Sequence, residues 1–307
     1  MTEYIWLNGR YLQTHEATIS VLDRGLLYGD GLFETLRTYG GEPFKLSDHL
    51  ERLKSSAHQL KIPLHVSAKS FQSIIEKLLR LNNLSDAYVR ITLTRGRKES
   101  GFYLSSSDNS SVIIQVSQLP DYHEYAEPGV KVIISPWLRS PNAPLGGHKT
   151  LNYLENLLAR AEALEHKAFE SIIFNTHQHL CEGSMSNIFI VKKPVPSKAG
   201  GEIFTPALTA NILPGITRKV ILGLCPGQHL KIHEANLTKQ QLLMADEIFL
   251  TNSLIEIVPV VECLPPSPAV GGTRTGQAGK KIGTGQPGKI TRQLQLAYQE
   301  LVQKEPG

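Results

Sequence analysis

Four separated segments carry residue types that can bind an anion and hold a reactive amine. Gly146-Gly147-His148-Lys149-Thr150 sets a lysine behind two glycines. The glycines permit close backbone approach, and an amine held in a low-polarity site suits Schiff-base chemistry with a carbonyl. Glu182 opens Glu182-Gly-Ser-Met-Ser-Asn187 and leads into the apolar run Ile188–Val191. A carboxylate at the start of a buried strand needs a cationic or hydrogen-bond-donating partner. Leu213-Pro-Gly-Ile-Thr217 reads as a helix entrance, where free backbone amides and the helix dipole favour a phosphate. Arg52, in His49-Leu-Glu-Arg-Leu53, supplies a guanidinium that can grip phosphate through two bonds.

Other patterns match a motif only in letters. Gly283-Thr-Gly-Gln-Pro-Gly288 satisfies GxGxxG, and with Lys289 it gives GxxxxGK. Ile290 stands where a P-loop needs Ser or Thr, Pro287 spoils the cradle, and no strand precedes it, so a flexible connection is the better reading. His177, His179 and Cys181 alternate as three zinc ligands on one strand face would, but a fourth ligand and a second spaced pair are missing. No metal is expected. A Ser–His–Asp hydrolase lacks its nucleophile-elbow sequence.

The elements that must position these groups read as a mixture of strands and helices. Tyr4–Asn8 and Tyr11–Leu12 flank an Asn8-Gly9 turn, a hairpin signal. Leu32–Tyr39 and Pro43–Leu46 form a second expected hairpin about Gly40-Gly41. Ser47 and Ser67 are expected helix caps, with apolar residues following at helical spacing. Strands are expected at 87–94, 111–116, 130–135, 170–174, 186–192 and 247–251. Helices are expected after Lys149, at 215–224 and at 290–302. The absence of a repeated βαβ rhythm favours α+β. The expected division is an N-terminal α/β domain over 1–118, an interdomain linker over 119–129, and a C-terminal cofactor-binding domain over 130–307 with a mobile loop at 265–288.

Composition sets the outer bounds. The chain has 307 residues, 41% of them hydrophobic, which is ordinary for a globular protein of two domains. Three cysteines, Cys181, Cys225 and Cys263, are odd in number and exclude a disulfide framework. The formal charge is +4, but Arg274, Lys280 and Lys281 in the acid-free stretch 265–288 account for most of it. The near-neutral remainder argues against a nucleic-acid partner. The start, with Glu3 and Asn8, lacks a signal-peptide core, and no run reaches the roughly 20 apolar residues of a spanning helix. A soluble, cytoplasmic protein without a membrane partner is expected.

Taken together, the segments resemble the fold-type IV, pyridoxal-phosphate-dependent enzymes of the class IV aminotransferase family. The likeness rests on the run Asp23–Arg37, on His49–Leu53, Lys149-Thr-Leu-Asn-Tyr153, Glu182–Phe189, Pro214–Arg218, and Thr251-Asn-Ser-Leu-Ile-Glu-Ile-Val-Pro259. It implies a two-domain fold like that of D-amino acid aminotransferase, a homodimer, and pyridoxal 5'-phosphate as cofactor. By the same resemblance Lys149 binds the cofactor and moves the proton at the substrate carbon. Glu182 faces the pyridinium nitrogen, and Arg52, Ile216, Thr217 and Ser253 form the phosphate cup. Tyr153 matches a tyrosine that bonds the cofactor's phenolic oxygen.

The resemblance also bears on the reaction. Branched-chain aminotransferases have three residues between the lysine and the next Asn, where this chain has two, Thr150 and Leu151. They tend to carry Gly where Thr35 and Asn252 stand. D-amino acid aminotransferases share the two-residue spacing but hold the substrate carboxylate with an Arg and a His, at positions that look like Ser100 and Phe102 here. Aminodeoxychorismate lyases combine the spacing with a Thr matching Thr35, an Asn matching Asn252, and a Gly-aromatic pair like Gly101-Phe102. They usually have a basic residue in place of Ser100. Arg97 or Lys98 can supply that charge, and Arg90 and Asn252 complete the expected substrate contacts. The implied activity is elimination of pyruvate from 4-amino-4-deoxychorismate to give 4-aminobenzoate, a step of folate biosynthesis. Thr35 would position the proton donor for the departing group. The alternative is an amino-acid aminotransferase of branched-chain or D-amino acid type.

Overall fold

The computed structural model describes residues 3–97, 110–193, 201–266 and 278–305. It divides the chain into two compact units. The first unit holds residues 1–120, 148–153 and 301–307, and the second holds 121–147 and 154–300.

In the first unit the strands are β1 (Tyr4–Leu7), β2 (Arg10–Gln13), β3 (Gly31–Tyr39), β4 (Glu42–Pro43), β5 (Ala87–Thr94) and β6 (Ser111–Gln118). They form one antiparallel sheet in the order β2-β1-β6-β5-β3-β4. The β1–β2 turn takes positive φ at Asn8 and Gly9, as an Asn-Gly hairpin turn requires. Helices α1 (Arg24–Tyr28), α2 (Leu46–Gln59) and α3 (Ala68–Leu81) complete the unit. Its core joins Leu50, Leu53 and Ala57 of α2 and Phe71, Ile75 and Leu78 of α3 to Leu32, Leu36, Val89, Ile91 and Leu93 of the sheet. Strand alternation sends the next residues, Phe33, Thr35 and Arg90, to the other face.

The second unit is built on a mixed nine-stranded sheet, ordered β12-β11-β10-β13-β14-β7-β8-β9 with β15 added to β14. Its strands are β7 (Val130–Arg139), β8 (Glu170–Asn175), β9 (Leu180–Gly183), β10 (Asn187–Lys192), β11 (Glu202–Pro206), β12 (Lys231–Ala235), β13 (Glu247–Asn252), β14 (Glu256–Leu264) and β15 (Lys280–Lys281). Its helices are α4 (His123–Ala126), α5 (Leu154–Glu165), α6 (Ile216–Gly227), α7 (Lys239–Leu243) and α8 (Lys289–Lys304), the last ending in the first unit's residues. The core packs Val132, Ile134, Ile172, Ile188, Ile190, Leu250 and Val258.

Several boundaries depart from the sequence expectation. Ser67 caps α3 as anticipated, accepting from Ser70 N at 3.2 Å. Ser47 does not cap α2, because the helix has already closed a bond from His49 N to Lys45 O, and Lys45 begins it in the left-handed region. The helix after Lys149 starts at Leu154, since residues 149–151 are drawn into the first sheet. Lys149 therefore belongs to the first unit rather than to a C-terminal domain. Residues 121–129 are not a linker: Tyr122 and Tyr125 pack on the second core.

The described end of the 265–288 stretch, 278–288, is more structured than its composition suggests. Lys280–Lys281 pairs with β14, and Ile282 is buried in the second core; residues 267–277 lie outside the described residues. The GxGxxG look-alike ends on a helix start already filled by protein. Glu247 accepts from Ile290 N, Thr291 N and the Thr291 hydroxyl, and a side chain at Gly288 would overlap it. A phosphate has no place there. The packing of Ile282 makes a measurable prediction: Ile282→Ala should cost about 2–5 kcal/mol in denaturant unfolding. A loss below about 0.5 kcal/mol, the size of an ordinary surface change, would restore the loop reading.

Candidate active site

In the first unit the site begins with an added edge to β3. Phe33 N donates to Lys149 O and Leu151 N donates to Gly31 O, both at 2.9 Å. Leu32 and Thr150 form the bridge between them. A side chain at Gly31 would collide with Leu93 O and Leu151, so glycine is needed for this close approach. The pairing holds the Lys149 Nζ 4.4 Å from the Phe33 ring centroid and 5.6 Å from that of Tyr153. Phe33 and Tyr153 meet edge to face at 5.3 Å. Arg90 stacks on the Phe33 ring as well, its guanidinium carbon 4.1 Å from the centroid. Thr35 sits directly opposite Arg90 across the β3–β5 pair, so their side chains share the Phe33 face. Among the described residues the Arg90 guanidinium has this stacking contact and neither an ion pair nor a hydrogen bond.

The opposite face of β3 carries a residue that the sequence reading missed. Glu34 is fully buried and accepts from Arg52 Nε at 2.9 Å, from Arg52 Nη2 at 2.6 Å, and pairs with His49 Nδ1 at 2.8 Å. Burial by itself would raise the Glu34 pKa, but the Arg52 charge and the bonds from Arg52 and His49 outweigh it and bring it to about 2. His49 goes down: burial dominates, and the charges of Arg52 and Lys149 add to it against Glu34. Arg52 is thus a counter-ion to Glu34.

In the second unit Glu182, at the end of β9, receives the donors its position requires. Arg139 pairs with Oε1, and Asn187 Nδ2 and Leu213 N donate to Oε2 at 3.1 and 3.0 Å. Burial would lower the Arg139 pKa, but the Glu182 charge overcomes this and raises it. Asn187 also donates to Leu213 O, tying Glu182 to the turn that opens α6. That helix has no side-chain cap at Gly215, and its first residues, Ile216 and Thr217, are buried. A side chain at Gly215 would overlap Asn187 Oδ1. The hydroxyl of Thr251, opposite Asn187 in the β10–β13 pair, is buried without a partner among the described residues.

Two expected substrate contacts look different in place. Asn252 spends its carboxamide inside the fold: Oδ1 accepts from Leu254 N and Ile255 N, and Nδ2 donates to Met185 O at 3.1 Å. It shapes the turn holding Ser253 rather than offering a free carboxamide. Arg97 is exposed and bridges backbone to Asp23; Lys98, Ser100, Gly101 and Phe102 lie outside the described residues. His177 and His179 stand at a turn with ring centroids 6.3 Å apart. Cys181 is buried, its thiol donating to Ala210 O and pushed up to about 12 by burial.

Comparison with known proteins agrees with this construction. The amino-transferase class IV family pattern matches residues 31–263, and the chain belongs to that family. A Methanocaldococcus jannaschii protein, provisionally assigned as a branched-chain-amino-acid aminotransferase, is 33% identical over 97% of this chain and 96% of its own. The aminodeoxychorismate lyase of Bacillus subtilis is 32% identical over 96% of this chain and 94% of its own. The crystal structure of the T.th. branched-chain amino acid aminotransferase with pyridoxamine 5'-phosphate is 27% identical, with a TM-score of 0.84 over 98% and 94% of the two chains. This is a class IV, pyridoxal-phosphate-dependent enzyme. Each unit holds residues that fit that cofactor: the first a placed lysine amine, the second a buried carboxylate and an uncapped buried helix start.

The Glu34 cluster yields a test that separates the ion pair of Arg52 from its expected contact with phosphate. Arg52→Ala should destabilise the protein by about 3–5 kcal/mol, because Glu34 is left buried without a counter-charge. Adding Glu34→Gln should restore most of that stability while cofactor affinity stays about ten- to a hundredfold weaker. Wild-type affinity in the double variant would reduce Arg52 to a counter-ion. Because the Glu34 pKa is lower folded than unfolded, its contribution is present above about pH 4.5 and fades as pH falls toward about 2. The acid limb of unfolding midpoint against pH should therefore flatten in Glu34→Gln.

Proposed function

We propose that the enzyme is a 4-amino-4-deoxychorismate lyase, eliminating pyruvate and releasing 4-aminobenzoate. The observation that carries this reading is the Thr35–Arg90 pair on the Phe33 face of the strand, with Arg90 and the Lys149 amine both set against the Phe33 ring. The pair supplies a hydroxyl and a cation that, among the described residues, is engaged only with the Phe33 ring. An enolpyruvyl ether asks for both: a proton for the departing oxygen-bearing fragment and a counter-charge for its carboxylate. A glycine in place of Thr35 would leave only the cation, enough to anchor an amino acid but without the proton-transfer group.

Bound pyridoxal phosphate supplies an electron sink for the carbon that loses its proton. Lys149 holds the cofactor and removes the proton from the amine-bearing ring carbon. The carbon–oxygen bond to the enolpyruvyl group then breaks, the Thr35 hydroxyl positions the donor that passes the proton held by the Lys149 amine to the departing fragment, and the ring becomes aromatic. Arg90 holds the departing carboxylate, and Phe33 keeps water from the amine's flank. Glu182 would face the ring nitrogen, with Arg139 behind it as a fixed charge. Ile216 and Thr217 amides at the start of α6, with Ser253 and Arg52, would take the phosphate, and Tyr153 the phenolic oxygen. Asn252 contributes by setting the turn of Ser253.

We further propose a cytoplasmic homodimer. Its support is the exposed row Leu154, Leu157, Leu158 and Leu164 on α5, spaced as one helix face. Among the described residues no helix is long and apolar enough to cross a membrane.

The lyase reading is tested by product formation. 4-Aminobenzoate should appear from aminodeoxychorismate with no 2-oxo acid present, because an elimination needs no second substrate. Thr35→Gly should slow it by roughly a hundredfold or more, while any side transamination is less affected. Equal slowing of both reactions would remove Thr35 from the proton transfer.

A further inference from the structure

A second buried carboxylate in the second unit touches none of the groups assigned to cofactor or substrate. Glu170, the first residue of β8, is completely buried and accepts five hydrogen bonds. Oε1 takes Ser171 N at 2.8 Å, Ser184 N at 3.0 Å and the Ser184 hydroxyl at 2.5 Å. Oε2 takes Met185 N at 3.1 Å and the Ser186 hydroxyl at 2.8 Å. Four of these five donors belong to the turn 184–186 that joins β9 to β10. The turn is thus folded around one carboxylate instead of around its own backbone, with only Gly183 N to Ser186 O and Ser184 N to Ser171 O as backbone ties among the described residues. Gly183 is glycine for the same reason: a Cβ there would come within 2.7 Å of Glu170 Oε2 and 2.5 Å of the Ser186 hydroxyl.

What leaves this turn is the site. Glu182 and Asn187 flank it, and Asn187 donates to Glu182. Met185 O, whose amide Glu170 holds, is the acceptor for Asn252 Nδ2 in the turn of Ser253. Asn156 of α5 donates to Ser184 O at 2.6 Å and closes the turn from another side. We infer that Glu170 is a positioning residue that sets Glu182 and the Asn252–Ser253 turn at once, through the 184–186 turn. This rests on the roles proposed above for Glu182 and Ser253.

The test uses the holoenzyme and the variants Glu170→Gln and Glu182→Gln. The first of these keeps the shape of the side chain but turns one acceptor into a donor facing Met185 N. Three quantities are read: melting temperature, the cofactor dissociation constant, and the pH profile of the bound cofactor's visible absorption. Glu170→Gln should weaken cofactor affinity by roughly tenfold, the low end of what losing an outer partner costs at a comparable site. It should also move the pH profile in the direction that Glu182→Gln moves it. A purely structural role would lower the melting temperature and leave the pH profile of the folded enzyme unchanged. If Glu182→Gln shifts affinity and profile while Glu170→Gln shifts neither, the inference is overturned and the Glu182 assignment stands. If Glu182→Gln shifts neither, both are overturned. Should Glu170→Gln not fold, Ser186→Ala removes one donor from Oε2, and it should shift the profile the same way by less; an unchanged profile there overturns the inference.

Discussion

The register of β3 against β5 is the constraint on which the first half of the site depends. Three consecutive residues, Phe33, Glu34 and Thr35, alternate between two faces with different chemistry. Glu34 goes to the helix side, where Arg52 neutralises it and His49 hydrogen-bonds it; Phe33 and Thr35 go to the side that carries Arg90 and the Lys149 amine. A slip of one residue would exchange the faces. It would put a carboxylate beside the amine and bury an aromatic ring against Arg52. The buried ion pair therefore does more than satisfy charge: it penalises every other register, because Glu34 finds both donors only in this one.

Three buried carboxylates of the second unit are satisfied in the same way. Glu182, Glu170 and Glu247 are three buried carboxylates on three strands, and each is met by backbone amides together with side-chain donors. Their consequences differ. Glu247 closes the start of α8, which removes the glycine-rich run before it from consideration as a phosphate site. Glu170 organises a turn. Glu182 keeps its acceptors toward Arg139, Asn187 and Leu213, beside the α6 start that no side chain caps. One helix start is filled by a carboxylate and the other has no side-chain cap.

Much of this was legible in the residues. Lys149, Glu182 and the Leu213–Thr217 helix start announce themselves by type and punctuation, and the strands at 87–94, 170–174 and 247–251 by their apolar runs. The long-range partners were not. Nothing near Glu182 says that Arg139, 43 residues earlier, will meet it, although a buried carboxylate does demand some cation. Glu34 reads as one polar residue in a β-prone run, and only its place midway between Leu32 and Leu36, on their face of the strand, hints at burial. Ser47 failed as a cap because the backbone conformation of Lys45 started the helix two residues early. Lys280–Ile282 lacks periodicity because two residues of strand are too short to show any. Asn252 was expected as a substrate contact from its motif, and the motif does not reveal that its carboxamide serves the turn.

The same scaffold accommodates both transamination and elimination among this chain's relatives, so the decision rests on a few side chains around one ring. The central claim is that a hydroxyl and a cation beside Lys149 tune this enzyme for elimination. It is tested most directly by specificity constants measured side by side on one purified preparation: aminodeoxychorismate alone, against branched-chain and D-amino acids with 2-oxoglutarate. The account predicts a higher kcat/KM for elimination, by about a hundredfold, the size of one positioned proton-transfer group. A higher kcat/KM for any of the transaminations would contradict it and make the enzyme an aminotransferase.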